Sequence, residues 1–370
     1  MRSLLVVAVA AVALIACGGA DTSRLAPLAP THSPAATPTQ PINVDAMMDL
    51  YAQQTVFVAD AEKISAITLL NHFTRYVIPT NGKAQVVADG YTTFGTPPSS
   101  NAGGWLYVLD GIIDVPGPLR LRTFDVSGVE RASRSDIGSV ASTHRALALA
   151  IDGRVLVLKS DARHAWVDAY ESLTLRPQGT VMEKVGCGDR ILASGSRVAI
   201  VCLAAGQIAV DTLRGSGTAL IDGPKDLGPL AGATMADDGT IYAVTADRRL
   251  AVVSPNATKL APLPWPSEWS GTVLPDTLSV ATGSNSVVLA QLGDDGSWLR
   301  VFASNDLAQR HSLRLAGRLE GAPQFGLIAM APFAYFASGG SVRHVELTTG
   351  MLETMTTVGQ GATVVAVVNR

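Results

Sequence analysis

The chain has 370 residues, of which 47% are hydrophobic and only 16% are charged, and its formal net charge is −3. An average globular domain has about 25% charged residues, so the composition is that of a folded chain and excludes a largely disordered one. Basic residues are scattered among nearly as many acidic residues, without the Lys/Arg stripe that follows a phosphate backbone. Nucleic acid is therefore not a predicted partner.

The first 16 residues have the pattern of an export signal. A single positive charge at Arg2 precedes 13 apolar residues, Leu4 to Ala16. Such a run matches the hydrophobic region of a signal peptide and is too short to cross a bilayer as a permanent helix. We therefore predict that residues 1–16 are a signal peptide.

The export signal ends in Leu14-Ile15-Ala16-Cys17, which resembles the lipobox of bacterial lipoprotein signals. The resemblance implies cleavage before Cys17 and acylation of its sulfur and its amine. Several acyl chains at about 0.8 kcal/mol per buried methylene make a firm anchor. Gly18, rather than Asp, follows the cysteine, which in lipoproteins of two-membrane bacteria implies transport to the outer membrane, on a side that the sequence leaves open. An ordinary secretory signal with a chance cysteine is the alternative.

Residues 17–48 are predicted to form a disordered tether that begins at the lipidated Cys17. The segment from Gly18 to about Val44 is rich in Pro, Ala and Thr and has few large apolar side chains. Such a segment cannot bury enough surface to offset the entropy of ordering. The globular part is then predicted to span residues 49–370.

The globular part is predicted to be all-β, because short runs of Val, Ile, Leu and Tyr alternate with Gly, Asp, Asn and Ser turns. One apolar run recurs at intervals of 43 to 50 residues. Its seven copies are TVFVAD from Thr55, WLYVLD from Trp105, RVLVLKSD from Arg154, RVAIVCL from Arg197, TIYAVTAD from Thr240, SVVLAQL from Ser286 and FAYFAS from Phe333. A period in the forties is typical of four-stranded propeller blades. We predict a seven-bladed β-propeller with antiparallel blades, with six or eight blades as alternatives.

The chain end is predicted to close the ring. Each copy of the run follows a small-residue apolar run and precedes a third and a less regular fourth strand, which is the inner-to-outer order of a blade. The first copy has no inner strand before it, whereas GATVVAVVNR from Gly361 has the composition of an inner strand without a blade of its own. Pairing of this segment with the first blade would leave no exposed sheet edge there.

Two turn strings, DVSGVE from Asp125 and ELTTGMLE from Glu346, each link a predicted third strand to a fourth. They resemble the turns of the YVTN and quinoprotein-like β-propellers of bacterial envelopes. The resemblance covers the whole globular part. It implies a WD-like propeller architecture and no particular activity.

Two cysteines remain once Cys17 is lipidated, Cys187 and Cys202. A hairpin turn at Ser194-Gly195 would place them opposite each other on the inner two strands of the fourth blade. In an exported protein, this geometry predicts a disulfide. A reactive or metal-binding pair is the alternative.

Carboxylates recur at or near the ends of predicted second strands, at Asp60, Asp110, Asp161 and Asp247. A catalytic acid is usually placed once, so recurrence favours turn-capping aspartates that accept hydrogen bonds from their own backbone. The sequence contains no G-x-S-x-G elbow, P-loop or dinucleotide fingerprint, and its six histidines lack the spacings of zinc sites. No catalytic residue, metal or other cofactor is predicted.

Two candidate binding sites follow from position along the chain. His144 and Arg145 come just before an inner strand, on the class of loop that lines the mouth of a propeller channel; a solvated loop histidine is the alternative. Trp265 and Trp269 lie in PLPWPSEWSG from Pro262, between the fifth and sixth blades. Exposed tryptophans on a stiff loop would anchor a partner, whereas packing over the groove between blades is the alternative.

These observations favour a lipid-anchored, monomeric propeller of the bacterial cell envelope. Its expected function is that of a non-catalytic binding or scaffold module for a protein or polymer partner, with the membrane contacted through the lipid anchor. The alternative is an enzyme of the lactonase or hydrolase type that holds a metal in the central channel. Ligands contributed by several blades would leave no local motif, so the sequence does not decide between the two.

Overall fold

The computed structural model describes residues 55–68, 71–82, 84–89, 105–111, 119–125, 128–135, 137, 144–149, 153–161, 163–194, 197–212, 221–222, 227–236, 238–254, 257–262, 272–281, 285–293, 296–315, 326–330 and 332–368. The chain divides into two units, Met1–Asn43 and Val44–Arg370, and every described residue lies in the second. The predicted signal peptide and tether, including Cys17, lie outside the described residues.

The described residues form 28 β-strands. The first fourteen are β1 Thr55–Ala59, β2 Lys63–Thr68, β3 Thr74–Pro79, β4 Ala84–Asp89, β5 Trp105–Gly111, β6 Leu119–Phe124, β7 Glu130–Arg134, β8 His144–Leu149, β9 Arg154–Ser160, β10 His164–Glu171, β11 Pro177–Val185, β12 Arg190–Ser194, β13 Arg197–Cys202 and β14 Gln207–Thr212. The others are β15 Ile221–Asp222, β16 Leu230–Met235, β17 Ile241–Thr245, β18 Arg249–Ser254, β19 Ala257–Pro262, β20 Thr272–Ala281, β21 Ser286–Gly293, β22 Gly296–Ala303, β23 Gln309–Leu315, β24 Leu327–Met330, β25 Phe333–Ser338, β26 Ser341–Glu346, β27 Leu352–Thr357 and β28 Thr363–Val368. Within these ranges, no helix is long and apolar enough to cross a membrane.

The strands of the described ranges make seven four-stranded antiparallel sheets. Six of them use consecutive strands, and we number these blades 2 to 7: β4–β7, β8–β11, β12–β15, β16–β19, β20–β23 and β24–β27. Blade 1 has the order β28-β1-β2-β3. The inner strands β4, β8, β12, β16, β20, β24 and β28 each contact the next one around the circle, and β28 contacts β4. The all-β propeller predicted from the sequence is confirmed.

Burial explains the strand patterns within a blade. The second strands are buried along almost their whole length, because the neighbouring blades cover both of their faces. Such strands read as continuous apolar runs, which is why they carry the recurring string. The fourth strands face solvent, and their residues are mostly exposed. This exposure is the reason that the fourth strands have little pattern in the sequence.

The C-terminal strand completes blade 1. β28 pairs antiparallel with β1, from Thr55 opposite Val368 to Ala59 opposite Thr363. Val364 and Val367 of this strand are buried in a cluster with Val56 of β1 and residues of blade 7, including Tyr335. The pairing that the sequence predicts for the chain end is therefore present, and it links blade 7 to blade 1 through both hydrogen bonds and apolar packing.

The antiparallel order gives the ring two different ends. The links between strands 1 and 2 and between strands 3 and 4 lie at one end, which we name the turn end. The links between strands 2 and 3 and the connections from blade to blade lie at the other, the connector end. β1 begins at Thr55 opposite Val368, the last residue of β28, so the first described residue lies at the turn end of blade 1.

Removal of residues 361–370 is expected to destabilise the propeller strongly. Val364, Ala366 and Val367 are buried, and burial of side chains of this kind contributes about 1 to 3 kcal/mol each, so the free energy of unfolding should fall by about 5 kcal/mol. Denaturant unfolding measures this change. Removal of residues 369–370 alone keeps every β28 pair and serves as the control; equal stability of the two truncated chains would contradict the role of β28.

Candidate functional site

A row of polar residues marks the connector end of the second strands. In each copy of the recurring string, the sixth residue is polar or sulfur-containing. From blade 1 to blade 7 this strand-end row consists of Asp60, Asp110, Lys159, Cys202, Thr245, Gln291 and Ser338. All except the half-buried Asp60 are buried. Polar groups at buried positions need partners, so the row is a candidate site within the described residues.

The strand-end row faces the groove with the preceding blade. Side chains alternate between the two faces of a strand, so Asp110 shares its face with Leu106 and Val108. Those two residues pack against Phe57 and Ile78 of blade 1. The same alternation places Gln291 with Val287 and Leu289 against blade 5. Each row residue is therefore positioned where one blade meets the connection that arrives from the blade before it.

Asp110 is the centre of a buried ionic network. Its side chain is 0% exposed and accepts hydrogen bonds from Arg120 (Nη2 to Oδ2 2.8 Å, Nε to Oδ1 3.2 Å) and from Arg122 Nη2 (2.9 Å). The backbone N–H of Asn81 in the connection from blade 1 donates to the same carboxylate at 3.2 Å. Arg122 also donates to the carbonyl of Pro79 at 2.8 Å. The network therefore fastens the end of blade 1 to blade 2.

The two arginines of this network differ in electrostatic environment. Arg122 is 3% exposed, and its burial lowers its pKa, an effect that the charge of Asp110 opposes. The hydrogen bond to Asp110 raises the pKa of the more exposed Arg120. Glu130 lies 3.6 Å from Arg122 Nη1 and adds a second carboxylate. Both guanidinium groups therefore bind the buried carboxylate of Asp110, and Arg122 also lies close to Glu130.

The prediction of four turn-capping aspartates is wrong for Asp110. Asp60 and Asp161 do cap turns, since each Oδ1 accepts hydrogen bonds from the two backbone N–H groups two and three residues later. Asp247 accepts hydrogen bonds from side chains of its own turn, Thr245 and Arg249. Asp110 instead lies inside β5, where its partners come from β6 and from blade 1. Burial, rather than turn geometry, determines its role.

His144 and Arg145 lie in a strand and not in the predicted loop. They are the first two residues of the inner strand β8, with their Cα atoms opposite Ser160 and Lys159. The row residue Lys159 donates to Asp168 Oδ2 at 2.6 Å and to the Tyr170 hydroxyl at 3.3 Å. The predicted ligand-binding pair thus starts blade 3 at its connector end, beside the partly buried ion pair of Lys159 and Asp168. The side chains of His144 and Arg145 are outside what the structure describes.

The disulfide between Cys187 and Cys202 is confirmed, with Cα atoms 5.5 Å apart. The predicted register is wrong, because Ser194 pairs with Arg197 and Arg190 with Val201. Cys187 therefore lies outside the ladder, in the connection between β11 and β12. The bridge joins this connection to the end of β13 rather than crosslinking two inner strands. Cys202 thus binds the connection from blade 3 covalently. In blade 2, Asp110 occupies the same row position and binds the connection from blade 1 through hydrogen bonds.

Gln291 occupies the same row position in blade 6 without a comparable partner. Its side chain is 0% exposed, and among the described residues neither the nitrogen nor the oxygen of its amide has a hydrogen-bond partner. An unsatisfied buried amide is destabilising. The strand-end row is therefore not a repeated binding motif, since its members form different kinds of contact in different blades.

The remaining predictions about site chemistry concern metals and tryptophans. Among the described ranges, no group of three His, Cys, Asp or Glu side chains is arranged to hold a metal ion. Trp265 and Trp269 lie outside the described residues. The sequence reasoning missed the strand-end row, although its signal was available: alignment of the seven recurring strings shows a polar or sulfur-containing sixth residue after each apolar run.

Comparison with known proteins adds information on the fold alone. No protein-family model matches the sequence, and no curated protein matches it. A candidate 6-phosphogluconolactonase from Bacteroides uniformis is similar in structure, with 12% identity and a TM-score of 0.54 over 85% of this chain and 99% of its own. Apo AztD from Citrobacter koseri is also similar, with 12% identity and a TM-score of 0.51 over 83% of this chain and 95% of its own. At this level of identity, both show that the chain is a β-propeller.

Asp110→Asn is expected to lower the free energy of unfolding by about 3 to 5 kcal/mol, because it leaves the buried Arg122 without a full counter-charge. Denaturant unfolding measures the loss. Asp60→Asn is the matched control, since the amide oxygen can still accept the two turn hydrogen bonds and the cost should stay below about 1 kcal/mol. The double variant Asp110→Leu/Arg122→Leu should recover part of the loss; a loss as large as in Asp110→Asn would contradict the ion-pair explanation.

The double variant Cys187→Ala/Cys202→Ala is expected to lose about 3 kcal/mol of stability, the usual effect of opening a loop of 15 residues. Reduction of the unmodified protein should produce the same shift in thermal unfolding. The variant itself should not respond to the reductant. A response of the variant would show that the shift arises elsewhere.

Proposed function

We propose that this chain is a lipid-anchored β-propeller of the bacterial cell envelope, and that it acts as a non-catalytic binding or scaffold module for a protein or polymer partner. The anchor is Cys17 of the lipobox-like segment, and Gly18 favours the outer membrane. The Pro-, Ala- and Thr-rich segment that follows serves as the tether. These parts of the proposal rest on the sequence.

The observation that carries the binding role is the way in which the connector end is held. Asp110 and its arginines fasten the connection into blade 2, and the Cys187–Cys202 bridge fastens the connection into blade 4. Surfaces that are rigid before binding lose less conformational entropy when a partner docks. The described chain begins at the opposite end, at Thr55. The connector end is therefore the surface best prepared to meet a partner, and it carries His144 and Arg145.

The pairing of the charged groups at the connector end favours a binding role of this end over a catalytic one. The Asp110 carboxylate is enclosed by two guanidinium groups, and the Lys159 ammonium is paired with Asp168. A general acid or base must exchange its proton with a substrate, and a charged group that is held in an ion pair is less able to do so. We assign these groups the role of stabilising the surface around them.

The anchor is tested by incorporation of labelled palmitate in cells. Cys17→Ala is expected to abolish labelling, because the proposed lipid is attached to that residue. Cys187→Ala is the control, since it removes another cysteine and leaves the lipobox intact. Absence of label from the unmodified protein would contradict the anchor.

The partner surface is tested with a photo-crosslinking amino acid at one of two positions in blade 3. Val185 is exposed at the connector end, and Leu173 is exposed at the turn end. We expect discrete crosslinked products from position 185 and not from position 173. Identical products from both positions, or none from either, would contradict the assignment. Hydrolysis of a sugar lactone by the purified protein would contradict the non-catalytic part of the proposal.

A further inference from the structure

Three adjacent blades expose a large apolar side chain at the same position of the turn between strands 3 and 4. In each of these turns, a residue with positive φ closes the loop, at His72 (60°), Gly128 (79°) and Gly350 (76°). The residue that follows it starts or precedes the fourth strand. These following residues are Phe73, Val129 and Met351, in blades 1, 2 and 7. Phe73 is 70% exposed, and the other two are about half exposed.

The apolar character of this position is not general around the ring. In the corresponding turns of blades 3 and 6, Leu175 and Leu307 have positive φ and are buried. The residues that follow them are Arg176 and Ala308. The corresponding turns of blades 4 and 5 lie outside the described residues. Among the described turns, a large apolar residue is exposed at this position only in blade 1 and its two neighbours, while the turn of blade 3 exposes Leu173 at an earlier position.

Blade 1 is also the blade at which the chain enters from the N-terminal segment. β1 begins at Thr55, at the turn end and next to the end of β28. Phe73 lies at the same end of the same blade. The three apolar side chains therefore lie at the same end of the ring as the first described residue, the end that a lipid anchor earlier in the chain would be connected to.

We propose that Phe73, Val129 and Met351 form a membrane-docking patch that inserts among the headgroups of the bilayer holding the lipid anchor. The inference rests on the proposed function and gives the propeller an orientation, with the turn end on the membrane and the connector end directed away. About 37 residues separate Cys17 from Thr55, and a flexible segment of this length has an end-to-end distance of about 35 Å. The tether therefore reaches far enough for the turn end to meet the bilayer.

The charged groups next to the patch are paired within the protein. Asp125 accepts a hydrogen bond from the backbone N–H of Val129 at 3.0 Å and also binds Arg131. Glu130, which follows Val129, lies 3.6 Å from Arg122. Glu346 accepts a hydrogen bond from the Thr349 hydroxyl at 2.6 Å. Because these charges are balanced locally, the apolar side chains rather than the charges are expected to provide the attraction to lipid.

The patch is also pre-formed between blades 1 and 2. A Cβ added to Gly128 would lie 2.5 Å from Cδ2 of Tyr76, so the tyrosine ring packs directly on this glycine. Burial raises the pKa of Tyr76 to about 12, as expected for a ring enclosed by the two blades. The contact holds the turn that carries Val129 against blade 1.

The test uses the chain from Gly18 to Arg370, which keeps every described residue and lacks the lipidated cysteine. Binding is measured by sedimentation with vesicles of phosphatidylethanolamine and phosphatidylglycerol at a ratio of about 3:1 and millimolar lipid. The unmodified chain is expected to bind. The triple variant Phe73→Ser/Val129→Ser/Met351→Ser should lower the partition coefficient by about tenfold or more, since it removes exposed apolar area that lipid would bury.

Val185→Ser is the matched control, because Val185 is 78% exposed at the connector end, and its binding should equal that of the unmodified chain. Thermal unfolding confirms that the triple variant is folded. The proposal is overturned if the unmodified chain does not bind, if the triple variant binds equally well, or if the triple substitution instead abolishes a dimer seen in sedimentation velocity. Because this chain lacks Cys17, the result is independent of the palmitate test of the anchor.

Discussion

Burial of every second strand on both faces is the constraint on which the rest of this propeller depends. A strand of this kind needs a neighbouring blade on each side, and a row of blades can provide that for every member only if it closes on itself. The antiparallel pairing of β28 with β1 closes it. Blade 1 thereby contains both ends of the described chain, and its stability is coupled to that of blade 7 through a shared cluster of buried residues.

The same burial means that polar groups at the ends of the second strands need hydrogen-bond or ionic partners within the protein. At that point the chain leaves an apolar groove and must turn, so backbone groups and side chains need partners inside a region from which water is largely excluded. The blades provide these partners in different ways. Asp110 uses an ionic network, Cys202 a covalent bond and Asp60 a local turn. For the Gln291 amide, the described part of the chain offers no hydrogen-bond partner. The same position thus carries six residue types in seven blades, and these residues have no chemical role in common.

The fold was predictable from the sequence because it follows from a repeated pattern of burial, and the chain end was predictable because one inner strand was missing. The roles of particular polar residues were less accessible. Asp110 was predicted to cap a turn, but its partners Arg120 and Arg122 lie on the next strand and Asn81 lies in another blade. Their meeting depends on strand register and on how two blades pack. The cysteine pairing was correct although the predicted register was wrong, because Cys187 lies in the connection between β11 and β12, which brings it within reach of Cys202.

The antiparallel order of the blades also separates two kinds of surface. Connections between blades must all lie at one end, and there the buried network and the disulfide restrict movement. Both described chain ends lie at the other, because β28 must run antiparallel to β1. Ring closure by a C-terminal inner strand accordingly determines more than stability: it also fixes that the first and the last described residues lie at the same end of the ring, opposite to the connections between blades.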